Sequence, residues 1–167
     1  NLTTRTGMRS NPNRTAHAVA LTGTCIDPTI TALPYTQNFD AVTAPALPIT
    51  WSKSITSVGN AGSIITSNTG AFSNPNCVQF NSGNDPAASL ILLAPPLANN
   101  IAVNSVRVKI RTHIVAENTP LIIGVMSDPQ NAASFTAVQT LIPDALWTEQ
   151  IISLAAYTGT GKYIAFK

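Results

Sequence analysis

Apolar and polar positions alternate along this chain in short runs, and nowhere do they recur every three to four residues over a sustained window. Alternation puts successive side chains on opposite faces of an extended strand, so the pattern predicts strands rather than helices. The longest run is SVRVKIRTHIV at residues 105–115. Val106, Val108, Ile110 and Ile114 fall on its prospective buried face, and Arg107, Lys109, Arg111 and His113 on the other. Residues 120–126, PLIIGVM, are apolar on both faces and read as a central strand. Strands follow at 135–142 and 146–154, the second carrying Ile151 as a buried position. Residues 154–159 turn the chain. The segment from Lys162 to Phe166 then alternates again, with Tyr163, Ala165 and Lys167 opposite Ile164 and Phe166.

The first half of the chain is more punctuated. Residues 1–15 show no hydrophobic period and read as an extended arm. Residues 16–23, AHAVALTG, alternate cleanly, with Ala16, Ala18 and Ala20 on one face and His17, Val19 and Leu21 on the other. A proline-bearing linker follows, CIDPTITALP. Further strands are predicted at 35–40, 63–67, 76–81 and 89–94, with a turn at 44–51 that delivers Trp51. The strand at 16–23 resembles the last strand of a preceding immunoglobulin-like domain. The domain division is therefore 1–27 for arm, strand and linker, and 28–167 for the main domain. Many short strands separated by Gly, Pro and Asn loops define an all-β, two-sheet antiparallel jelly-roll sandwich.

Composition narrows the setting. The chain has 167 residues, sized for one domain, and is 44% hydrophobic but only 10% charged. Low charge with abundant Thr, Ser and Asn suits an extracellular β protein. The net charge of +2 is too small to point to nucleic acid. Three arginines, Arg5, Arg9 and Arg14, lie in the first 27 residues, so the main body is neutral. No apolar run is long enough to span a membrane as a helix. Cys25 and Cys77 are the only cysteines. Their even count in such a composition leads to the expectation of one disulfide, contributing roughly 4 kcal/mol in the chain-entropy account; the alternative is two free, buried thiols.

The order of several short motifs resembles the MAM-like jelly-roll modules of Bacteroidetes surface proteins, of the cleaved-adhesin and choice-of-anchor-J types. The opening LPYTQNFD at 33–40, LPITW at 47–51, SLILLAPPL at 89–97, GVMSDP at 124–129 with FTAV at 135–138, and the ending from Trp147 to Phe166 carry the likeness. The resemblance implies a non-catalytic adhesion or carbohydrate-binding-like module of a secreted, cell-surface protein exported by the type IX route. It implies as partners a surface glycan or protein ligand and neighbouring domains of the same polypeptide. It also implies a further strand of the type YIDDI after Lys167, which this sequence does not contain. Self-association through the sheet edge so opened is an alternative, giving a structural subunit that assembles by strand donation. An accessory domain of a secreted hydrolase is another.

Candidate chemistry is sparse. His17 and His113 lie on separate strands, and no GxSxG, HExxH or glycine-rich phosphate loop occurs. Glu117 and Glu149 are read as solvated acids rather than as a carboxylate pair. No cofactor is implied. The resemblance offers Asp40 as a first-strand ligand of a structural calcium, but the acids of the last strand are missing, and calcium takes six to eight oxygens. The basic stripe Arg107, Lys109, Arg111 and His113 is the candidate ligand face, with a plain wet sheet surface as the competing account. Trp51 and Trp147 are expected in the core.

Overall fold

A computed structural model describes residues 25–112 and 119–167. The arm at 1–15, the strand at 16–23, His113, Ile114 and Glu117 lie outside the described residues. Among the described residues nine strands account for nearly all of the regular structure: β1 (Ser52–Thr56), β2 (Ser63–Ser67), β3 (Cys77–Asn81), β4 (Ser89–Leu93), β5 (Ser105–Ile110), β6 (Leu121–Met126), β7 (Phe135–Leu141), β8 (Thr148–Ser153) and β9 (Tyr163–Phe166). All ladders between them are antiparallel.

The main layer is a five-stranded sheet in the order β1-β4-β9-β6-β7. β6 is an interior strand, as its two apolar faces require: it pairs with β7 and β9. β9 is bonded on both sides, to β4 and to β6. Its alternation sorts the two faces of the sheet. Ile164 and Phe166 pack with Ile123, Val125 and Leu97 on one face. Ala165 and Tyr163 pack with Ile91, Leu93 and Met126 on the other. A bulge interrupts the β6–β7 register between Ile123 and Gly124. A side chain at Gly124 would strike the Thr136 carbonyl at 2.4 Å, so the bulge admits only a glycine without movement of the backbone.

The opposite layer is built from two separate pairs, β2-β3 and β5-β8. Ile110, Ile152 and Leu154 of the second pair and its exit complete the core against β6 and β7. The first pair is tied to the main sheet by Lys53, whose Nζ donates to the Ile64 carbonyl at 2.7 Å. Ile64 and Thr66 are buried beneath it. Tyr157, in the turn after β8, is buried, and its hydroxyl accepts the Gly161 N–H at 2.8 Å.

Three expectations are corrected. Residues 35–40 form no strand. Phe39 stands at φ 65°, in the left-handed region, and the Gln37 and Asn38 side chains accept the N–H groups of Phe39 and Asp40. Such local bonds take the donors that a ladder would need. β1 was absent from the pattern because SKSIT is a polar edge strand with little alternation. Finally, Ile151 is not buried: it is 61% exposed, and its neighbour Ile152 is the one fully enclosed.

Candidate binding face

Arg107 and Lys109 lie on β5, and Arg111 follows just past its end. β5 and β8 pair so that Arg107 stands opposite Ile151 and Lys109 opposite Glu149. Alternation turns these outward while Val106, Val108 and Ile110 turn in. Ile110 is buried; Val106 and Val108 are only half-covered, because they border an open groove described below. Glu149 accepts from Arg107 at 2.8 Å and lies 3.7 Å from Lys109. The Arg107 side chain is 66% exposed, so solvent screens the pair and its contribution to stability is small.

Two aromatic rings join the cations. The loop between β2 and β3 carries Phe72 across to this face. Phe72 meets Trp147 edge-on at 5.9 Å between ring centroids. The Lys109 ammonium lies 3.7 Å from the Phe72 ring centroid, and the Arg111 guanidinium 5.4 Å from that of Trp147. Each cation thus sits against the negative face of a ring. Arg111 also lies against Gly70, where a Cβ would fall 2.0 Å from a guanidinium nitrogen; Gly70 itself is at φ +65°. Phe72 is 54% exposed, and with Ile151 it gives the face an apolar component. Trp147 is half-buried on this face, not in the core. Trp51 comes nearer to its expected place: half-buried between the layers, it stacks on Phe166 at 6.3 Å and donates its indole N–H to the Tyr35 hydroxyl at 3.1 Å.

The sequence did not single out Phe72; it offered Glu149 only as a solvated acid and Ile151 as a buried position. Phe72 carried a usable signal, a large aromatic in the polar loop FSNPN. Ile151 and Ile152 are adjacent, and periodicity cannot say which of such a pair faces out.

The expected disulfide is absent. Cys25 is an exposed free thiol, and Cys77 a half-buried one. The Cys77 Sγ lies 3.6 Å from the Ser67 carbonyl and 3.9 Å from that of Thr69, so it is occupied within its own hairpin. Burial pushes the Cys77 thiol pKa up, and the Arg111 charge and a backbone hydrogen bond draw it partly back.

Asp40, offered by the resemblance as a calcium ligand, has both carboxylate oxygens engaged within the protein. One carboxylate oxygen accepts the Asn76 backbone N–H at 3.1 Å and the other the Asn38 amide at 2.8 Å. No group of three or more His, Cys, Asp or Glu gathers anywhere among the described residues. Asp40 instead helps Asn76 anchor the irregular entry segment: the buried Asn76 amide donates to the Phe39 and Val42 carbonyls at 3.2 and 2.7 Å.

Beside this face lies an open groove of about 1040 Å³. Leu92, Ile164 and Phe166 of the main sheet line it, along with residues of β3 and β5.

The chain shares its antiparallel sandwich fold with two cleaved adhesin domains. The K2 cleaved adhesin domain of Lys-gingipain superposes with a TM-score of 0.62 at 16% identity, over 79% of this chain and 86% of that one. The K1 cleaved adhesin domain of Lys-gingipain from Porphyromonas gingivalis W83 superposes with a TM-score of 0.51 at 17% identity, over 72% and 80%. At these identities the likeness establishes the fold. No family model matches the sequence, and no curated protein does.

Proposed function

We propose that the chain is a non-catalytic, extracellular adhesion-type module that binds an anionic glycan on the outer face of β5 and β8. One observation carries the reading: exposed Phe72 and half-buried Trp147 form an aromatic pair flanked by Lys109, Arg111 and Arg107, with Glu149 as the only acid of the cluster among the described residues. A sugar ring can lie on such a platform while its carboxylate or sulfate meets the cations. The names of the two similar domains support an adhesive role. No described helix is long and apolar enough to cross a membrane.

A glycan array with the purified chain tests the proposal. Acidic glycans are expected to bind, more weakly as salt rises. Trp147→Ala is expected to cost about tenfold in affinity, the equivalent of about 1.4 kcal/mol. Arg111→Ala is expected to flatten the salt dependence. Binding that ignores both substitutions removes this face from consideration.

A further inference from the structure

The three cations of the binding face are not equivalent. Glu149 stands directly opposite Lys109 in the β5–β8 ladder, on the same outward face. One of its oxygens accepts from Arg107 at 2.8 Å, and the other lies 3.7 Å from the Lys109 ammonium. Arg111 meets no carboxylate at ion-pair distance among the described residues; it lies against the Trp147 ring instead. The face therefore has two ends. At one, a cation beside an aromatic ring lacks a counter-ion. At the other, two cations share one acid. The Glu149 side chain is 37% exposed, so lone pairs that Arg107 does not use still face solvent. That end offers donors and an acceptor together, which suits a hydroxyl, since a hydroxyl both accepts and donates. A sulfate or carboxylate placed there would stand against the Glu149 charge, and like charges in contact are costly.

We infer that Glu149 sets the charge pattern of the ligand: an acidic sugar at Arg111 and Trp147, joined to a neutral sugar whose hydroxyls meet Glu149, Arg107 and Lys109. The inference rests on the glycan reading and narrows it. Anionic residues set among neutral ones fit the face. A chain with a charge on every sugar sets one of its anions against Glu149. Glu149 is thus the residue that separates the two classes, by repelling the second and accepting hydroxyl hydrogen bonds from the first.

A glycan array holding both charge patterns tests it, with sialylated lactose for the first and heparin fragments for the second, at one fixed salt concentration. The unsubstituted chain is expected to bind sialylated lactose in preference to heparin fragments, although the latter carry more charge. Glu149→Gln keeps the size and an acceptor oxygen but removes the charge. It is expected to shift the ratio of the two affinities at least tenfold toward heparin fragments. A merely structural ion pair would change the urea midpoint of the variant and leave that ratio where it was, so an unchanged ratio overturns the inference. Preference of the unsubstituted chain for fully charged glycans also overturns it, while leaving the glycan reading intact. An array on which no acidic glycan binds overturns the glycan reading, and this inference with it.

Discussion

Asn76 shows how much one buried polar side chain holds in place. Its amide serves two carbonyls of a segment with no ladder of its own. Asn76→Ala leaves both unmet in a partly buried setting, and should lower stability by about 2 kcal/mol, read as a drop in the urea midpoint with an unchanged slope. The cysteines supply a second test at this scale. Both thiols should react with a colorimetric disulfide reagent without denaturant, Cys25 first. Cys77 should lag because it is half-buried and its thiol is pushed up. The sign for stability follows: above the ordinary thiol range the unfolded chain ionises first, so this group lowers stability as pH rises through that window. A protein that releases no thiol until reduced would contradict the free pair. The bridge was expected from count and composition alone, and neither reports where two segments lie in space.

At the scale of the strand, β8 separates two identical residues by one step of the pleat. Ile152 is fully enclosed in the core, and Ile151 faces solvent beside Arg107. Ile152→Ala should cost about 2–5 kcal/mol, and Ile151→Thr less than about 1 kcal/mol, both read by chemical denaturation. Equal effects would mean the register of the β5–β8 pair is wrong. The sequence located β2 to its residues, and β3, β4, β6, β7 and β8 nearly so, because each alternates or is uniformly apolar; it ran β5 on toward residue 115, whereas the strand ends at Ile110. It missed β1, whose polar residues match an edge, and it took 35–40 for a strand where Asn and Gln side chains bind the local backbone instead. The basic stripe was legible from period two. The rings beside it were not, since Phe72 reaches the face from a distant loop and only the fold brings it to Trp147.

For the whole molecule, alternation and turn residues were enough to indicate an all-β sandwich, but not the division of its outer layer into two pairs. That division depends on which edges meet, which neither β3 nor β5 marks locally. The inner sheet has a different character. β9 comes last of the nine strands, yet it lies between β4 and β6, pairing Leu92 with Phe166 and Val125 with Ile164. The sheet therefore stays in two pieces, β1-β4 and β6-β7, until β9 arrives. Until then the two pieces have no ladder between them. Closing contacts this distant in sequence is slow, and refolding from urea should fall in the range of milliseconds to seconds, measured by stopped-flow tryptophan fluorescence. Phe166→Ala, at the tip of the closing strand, should slow it further if that strand is docked in the transition state. The order of synthesis thus acts as a timer on the sheet, which stays unlocked until β9 has been made.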